Sequence, residues 1–464
     1  MNRPELQKLI SELANEFDVP GVAAGLWYRG EEAYACHGVT SIENRLPIDM
    51  HTLFQAGSIG KTFTATALIM LEAEEGVNLN APVRTYLPDL ELKDTGVSEE
   101  VSLLQLLNHT AGWEGDFFPD TGEGDDALAR FVDRLNELEQ LTRPGSVFSY
   151  NNAAFCLAGR VIEKVTGDSY ESAIRKLILK PLGMRESFFF RDEVMTRRFV
   201  VGHKPSDDGI LEVARPWGLP RNGAAAGGLV TSVCDLLAWA RFHLCGATDP
   251  DCEPHILNIT RLRAMQQPTV NMPGCAFGDA FGIGWFLSKV GDAWLVSHGG
   301  STHGQEASLS FLPEHDWALV ILTNSSPGGM AFNQVLRQRV LTACTGIAEE
   351  EIQPVPTAHS DLAAYAGVFC ARGMRCRVTV GETGELIFAV SDEPELLALM
   401  SESAEEAQTE PSVLRAMLAS GYADRYVFAN GPIKGTTGYF ERDCHDDRVQ
   451  ALHLFGRRLP RVRA

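Results

Sequence analysis

Apolar residues recur at helical spacing in residues 5 to 16, with Leu6, Leu9, Ile10 and Leu13 on one face. Two short strands follow, Val22 to Tyr28 and Ala33 to Gly38, joined at Arg29-Gly30-Glu31. A run of Phe63, Ala65, Ala67, Leu68, Ile69, Met70 and Leu71 then predicts a buried helix with Gly57-Ser58 at its start. From Ala81 to about Asp235 the chain reads as helices and loops, including Leu103 to Leu107, Leu128 to Leu138, Ala153 to Val165 and Tyr170 to Leu179. Strand signals return at Trp294 to Ser297, Ala307 to Leu312 and Ala318 to Thr323. Strands at both ends of a region with helices between them predict an α/β (α+β) fold. Distant segments close one antiparallel sheet, helices flank it, and residues 80 to 235 form a helical insertion. A catalytic site is expected in the groove between sheet and helices.

Gln353-Pro354-Val355-Pro356-Thr357 follows an acidic run and reads as a linker. Beyond it the pattern changes to short alternating segments: Arg377 to Val380, Leu386 to Val390, Arg425 to Phe428 and Val449 to Phe455. Glycine turns such as Gly381-Glu382-Thr383-Gly384 separate them, which predicts a small antiparallel β-barrel. The expected division is therefore residues 1–345, a linker at 346–358 and a barrel domain at 359–464.

The 464 residues suffice for two or three domains with ordinary cores, and 45% hydrophobic with 22% charged residues is a soluble globular composition. The net charge of −21 opposes nonspecific binding to nucleic acid or anionic membrane. Acidic stretches such as Glu349-Glu350-Glu351 and Ser401 to Glu410 read as solvated surface. The N-terminal residues hold no apolar core of secretory type, and no run is long enough to span a bilayer, so a cytoplasmic location is expected. Ten scattered cysteines without C-x-x-C pairs read as reduced core residues, with Cys245/Cys252 and Cys370/Cys376 the pairs to watch under oxidation.

Three segments carry candidate chemistry. Ser58 and Lys61 lie three apart, so on a helix they share one face, a hydroxyl beside its own base. Gly60-Lys61-Thr62 also matches the tail of a phosphate loop, G-x-x-x-x-G-K-S/T, but Gln55 stands where the first glycine is needed. Tyr150-Asn151-Asn152 precedes a helix. The tyrosine could shuttle a proton if nearby cations favour its phenolate, and Asn152 could hold Lys61 and a substrate amide; alternatively they are a turn tyrosine and a capping asparagine. His298-Gly299-Gly300-Ser301-Thr302-His303-Gly304 links two strands. Its glycines let backbone approach a substrate, and a backbone N–H there could join that of Ser58 in an oxyanion hole; the plainer reading is a glycine hairpin. No carboxylate-rich partner supports a metal at His298 and His303.

In this order the three segments resemble the serine β-lactamase and penicillin-binding-protein superfamily, which carries S-x-x-K, then Y-x-N, then K-T-G or H-x-G. The closest likeness is to class C β-lactamases and the related DD-peptidases, D-aminopeptidases and esterases. Leu106-Leu107-Asn108-His109-Thr110-Ala111-Gly112, Tyr86-Leu87-Pro88, Ala226 to Ser232 and Leu322-Thr323-Asn324 add to the likeness, which covers residues 5 to 340. It implies a serine hydrolase without cofactor or metal: Ser58 the acylated nucleophile, Lys61 and Tyr150 the proton carriers, and Asn152, His298, Gly300 and Ser301 the substrate-binding groups. The expected reaction is cleavage of short peptides, with carboxylesterase, weak β-lactamase and a non-catalytic scaffold as alternatives. His298 replaces the lysine of classical β-lactamases and grips a carboxylate less well at neutral pH, which favours peptidase or esterase relatives. Glu306 reads either as a group for a substrate amine or as an exposed strand end. Trp217 and the Asp116-Phe117-Phe118-Pro119 loop line the pocket or belong to the core. Ala364 to Phe369 resembles the entry to the lipocalin-like barrel of some relatives. That barrel is expected to cover the active site or to form the subunit interface of a homo-oligomer. Partners are otherwise a small-molecule or short-peptide substrate, with no nucleic acid and no membrane.

Overall fold

The structure, a computed structural model, describes residues 1–206, 208–246, 257–392, 411–431 and 433–462. The acidic stretch Ser401 to Glu410 and Cys252 lie outside the described residues. The N-terminal helix spans Arg3–Glu16 and opens with a capping box between Asn2 and Glu5. The two predicted strands are Gly21–Tyr28 and Glu31–Gly38. They join an eight-stranded antiparallel sheet whose order runs Glu31–Gly38, Gly21–Tyr28, Trp317–Thr323, Gln305–Leu312, Ala293–Thr302, Phe286–Val290 and two short strands at 280–281 and 270–271. The first strand, Gly21–Tyr28, thus pairs with a segment almost 300 residues later, Val22 opposite Thr323 and Tyr28 opposite Trp317.

Alternation along these strands divides the core. Val22, Ala24, Leu26, Leu319 and Ile321 face the N-terminal helix and the helix Gly328–Thr345. Ala23, Leu309, Phe311, Val320 and Leu322 face the helical region on the other side. There Phe63, on the helix Gly60–Ala73, stacks on Trp239 of the helix Val233–Cys245, with centroids 4.0 Å apart. The helix Gly60–Ala73 is buried along nearly its whole length, which is why its apolar residues are not confined to one face.

Several boundaries differ from the sequence reading. Leu128 to Leu138 is the helix Ala127–Val132 followed by a 3-10 turn, and Tyr170 to Leu179 changes from α to π geometry at Arg175. The strand expected to stop at Ser297 continues to Thr302, so the turn is at His303-Gly304 and not at Gly299-Gly300.

Residues 367–460 form a second eight-stranded antiparallel sheet with strands paired in sequence order. A bridge between Phe369 and Arg461 brings the first strand to the last and nearly closes the barrel around Phe388, Tyr426, Phe428 and Phe440. Cys370 and Cys376 form no disulfide with each other. Among the described residues no helix is long and apolar enough to cross a membrane.

Candidate active site

Ser58 lies in a 3-10 turn, Gly57–Ile59, that runs straight into the helix Gly60–Ala73. Gly57 has φ +52°, and a Cβ there would stand 2.9 Å from the Ser301 backbone nitrogen. A Cβ on Gly300 would stand 1.9 Å from the Ala56 carbonyl oxygen and 3.0 Å from the Ser58 nitrogen. Only glycine fits at this crossing, and the crossing brings the backbone of Gly57-Ser58 against that of Gly300-Ser301.

Lys61 is fully buried. Its Nζ lies 3.0 Å from Ser58 Oγ, 2.6 Å from Asn152 Oδ1 and 2.6 Å from the Ala226 carbonyl oxygen. Burial brings its pKa down to about 7, with Cys156 and Asp116 opposing the fall and Arg457 adding to it. The helix Asn152–Thr166 explains how Asn152 comes to face the lysine. Asn151 is the capping residue, accepting from Ala154 N at 2.7 Å, which leaves the Asn152 amide free to turn inward.

The Tyr150 ring is buried against Phe148, Phe281 and Phe286. Ser58 lies near enough to its hydroxyl to favour the phenolate, as does Arg457. Two cations face the ring, Lys61 Nζ at 4.9 Å and the Arg457 guanidinium at 4.8 Å from the centroid. Burial nevertheless dominates and raises the phenol's pKa, so Tyr150 stays protonated. His109, within the Leu106 to Gly112 stretch, fixes this segment: its Nδ1 accepts from Asn151 N at 2.9 Å, and its carbonyl accepts from Ser149 N at 2.9 Å.

His298 is buried beside Phe286 and Tyr150, and its Nδ1 pairs with the Gly299 carbonyl oxygen at 2.6 Å. Burial lowers its pKa to about 3, so the ring is neutral. His303 sits at the strand turn. The one grouping of metal-ligand side chains among the described residues, Asp443, Cys444 and His445, includes neither histidine and occupies a barrel turn.

The structure thus gathers Ser58, Lys61, Tyr150, Asn152, Gly300 and Ser301 around one hydroxyl, with His298 behind the tyrosine. Glu306 is neither exposed nor open to a ligand amine. It is buried opposite Ser301 and accepts from Ser301 Oγ at 2.9 Å and Ser326 Oγ at 2.7 Å. Trp217 belongs to an apolar cluster with Phe188, Val194 and Phe199, and Phe117 packs on Phe131.

The Asp116 loop, read from sequence as pocket lining or core, reaches the site through Asp116, and Arg457 escaped the sequence reading. Asp116 accepts from Asn152 Nδ2 at 2.7 Å, and Arg457, on the last hairpin of the barrel, donates from Nε to Asp116 Oδ2 at 2.9 Å. No local signal marks Arg457, because its partner is 341 positions away.

The Beta-lactamase family model matches residues 6–343. This chain belongs to that family, the serine hydrolases of β-lactamase and penicillin-binding-protein type that act on amide or ester bonds. It is 29% identical over 375 residues to penicillin-binding protein 4 of Amycolatopsis lactamdurans, covering 79% of this chain and 97% of that one. SurE has the same overall fold at 24% identity, with a TM-score of 0.75 over 99% of both chains, and has also been solved with D-Leu. The octameric penicillin-binding protein homologue from Pyrococcus abyssi aligns at 24% identity with a TM-score of 0.67, over 99% of this chain and 100% of that one.

Proposed function

We propose that this protein forms an acyl-enzyme on Ser58 and acts as a peptidase on short peptides, including those with D-residues. One observation carries the reading: the three neighbours of Lys61 Nζ. The oxygens of Asn152 and Ala226 can only accept. A neutral amine therefore gives its two N–H bonds to them and directs its lone pair at the Ser58 hydroxyl. With a pKa of about 7, much of Lys61 is in that neutral form at neutral pH.

In this reading Lys61 takes the Ser58 proton as Oγ attacks the scissile carbonyl. The N–H groups of Ser58 and Ser301 hold the oxyanion. Tyr150, kept as a phenol, gives its proton to the leaving group and is reprotonated from Lys61. Water then releases the acyl group by the same steps reversed. Asn152 and the Gly300-Ser301 strand orient the substrate amide. Neutral His298 offers no positive charge to a carboxylate, which supports peptide or ester cleavage over penicillin hydrolysis. The D-residue preference draws on the likeness to SurE, solved with D-Leu. We also propose a division into a hydrolase domain to about residue 345 and a barrel domain from about 359. A homo-oligomer is proposed too, since the Pyrococcus abyssi homologue is octameric.

Intact-mass detection after treatment with a fluorophosphonate tests the nucleophile. An increment on wild type that Ser58→Ala lacks supports the enzyme; no adduct from any acylating probe would favour a scaffold without turnover. D-amino-acid p-nitroanilides, p-nitrophenyl esters and nitrocefin then identify the bond. Turnover confined to the esters or to nitrocefin would replace the peptidase reading with the esterase or β-lactamase one.

A further inference from the structure

We infer that Asp116 is a positioning residue for the Ser58–Lys61 pair, and that Arg457 of the C-terminal barrel holds it in place, so that the barrel is a working part of the active site. The inference rests on the assignment of Ser58 as nucleophile and Lys61 as base.

A continuous line of hydrogen bonds joins the barrel to the nucleophile. Arg457 donates to both Asp116 oxygens, from Nε at 2.9 Å and Nη2 at 3.3 Å. Asp116 Oδ1 accepts from Asn152 Nδ2 at 2.7 Å. Asn152 Oδ1 accepts from Lys61 Nζ at 2.6 Å, and Lys61 Nζ meets Ser58 Oγ at 3.0 Å.

The order of donors and acceptors in this line matters. An amide can present either its oxygen or its NH2 to a neighbour. A carboxylate only accepts, so Asp116 draws the NH2 of Asn152 to itself and leaves the amide oxygen for Lys61. Reversed, Asn152 would aim N–H bonds at the lysine and compete with Ser58 for its lone pair. Asp116 thus sets the polarity that makes Lys61 useful as a base.

Asp116 cannot do this alone. Its side chain is only 11% exposed, and a carboxylate so enclosed needs a counter-charge. Arg457 pairs with it directly, and Lys61 is a second cation that feels its charge. The barrel hairpin that carries Arg457 is itself fixed to the catalytic segment. Tyr150 N donates to the Gly456 carbonyl at 2.8 Å, and Arg458 N donates to Ser149 Oγ at 3.2 Å. An ordinary interdomain ion pair would not need Asn152 as a third member. The shared Oδ1, touched by both Asn152 and Arg457, is what ties barrel docking to the readiness of Ser58.

The test is the second-order rate of fluorophosphonate labelling across pH, which reads Ser58 reactivity without any choice of substrate. The full-length proteins compared are wild type, Asp116→Asn, Asp116→Ala, Arg457→Lys and Arg457→Gln, each with its thermal unfolding curve. Asp116→Ala and Arg457→Gln should label slower on the order of 10- to 100-fold, the scale for a misplaced catalytic group. Arg457→Lys should recover part of the loss, because it keeps the charge.

The pH profile separates positioning from damage to the fold. The groups facing Lys61 are Ser58 on its own turn, Tyr150 and Cys156 around the helix start, His109, His298 on the sheet, Asp116 and Arg457. Of these the last two are charged at neutral pH. Asp116→Asn should move the acid limb down and Arg457→Gln should move it up, since the carboxylate raises and the guanidinium lowers the lysine's pKa. Folded Asp116 and Arg457 variants that label within about twofold of wild type, or limbs that move together in step with melting temperature, would overturn the inference alone. A wild-type protein that takes no label would overturn the hydrolase reading and this inference with it.

Discussion

Lys61 reaches Asn152 at 2.6 Å across 91 positions of the chain, and this contact ties the helix carrying the nucleophile pair to the one that follows Tyr150. Asn152→Ala should therefore reduce kcat by about two orders of magnitude, because the amine loses an acceptor that orients it. Leaving a buried amine short of a partner should also cost about 1–3 kcal/mol of stability. Steady-state kinetics with the best substrate, beside urea unfolding, checks both. An unchanged kcat would remove Asn152 from the site.

The lysine also predicts a pH dependence of rate. Protonated Lys61 has no lone pair for Ser58, so kcat/KM should fall as pH drops through about 7, with a single acid limb. The limb should be absent from any residual activity of Lys61→Met.

Stability should respond to the same group. The folded pKa of Lys61 is about 7 against 10.5 for a free lysine, so between those values the unfolded chain binds the additional proton. Stability relative to Lys61→Met should rise with pH from about 7 to about 10, by roughly 1.4 kcal/mol per pH unit at most. Paired unfolding curves at several pH values measure the slope; a flat difference would contradict the burial.

Glu306 titrates in the opposite sense. Burial raises its pKa to about 7, so between the ordinary carboxyl value and 7 it is the folded state that binds the additional proton. Its contribution is complete at pH 4 and is lost as pH rises through 7. Glu306→Gln keeps an oxygen for Ser301 and Ser326 and cannot ionise. It should match wild type near pH 4 and unfold at a higher temperature at pH 8. A lower melting point at both pH values would reject the account.

Gly300→Ala tests the oxyanion hole proposed at the backbone crossing. The new methyl would meet the Ala56 carbonyl, and the strand must retreat from Ser58. The expected loss in kcat is on the order of 100- to 1,000-fold, the cost of an oxyanion donor. Gly299→Ala, where the nearest atom is the Ala307 oxygen at 3.6 Å, serves as the control and should cost far less.

Spacing made much of this legible. Ser58 and Lys61 are one helical turn apart, so their pairing needs only a helix, and the apolar run from Phe63 to Leu71 ensures one. Strand alternation likewise shows in Val22 to Tyr28 and Trp317 to Thr323. Three misreadings share a cause. The glycines at 299 and 300 look like a turn but lie within a strand, where a facing backbone and not a bend requires Gly300. Glu306 looks like a solvated strand end, yet the helix Gly328–Thr345 and two serines enclose it. Tyr150 faces two cations, but desolvation outweighs them.

The sequence by itself determined the family motifs, the local elements and the pairing of Ser58 with Lys61, since each depends on residues a few positions apart. Only the tertiary structure decided that Asp116 and Arg457 belong to the site and that Lys61 is held between two carbonyl oxygens. Those contacts join segments 36 to 341 positions apart. Nothing in local periodicity records which distant surfaces will meet, because that is settled by how the sheet, the helices and the barrel bury their apolar faces together.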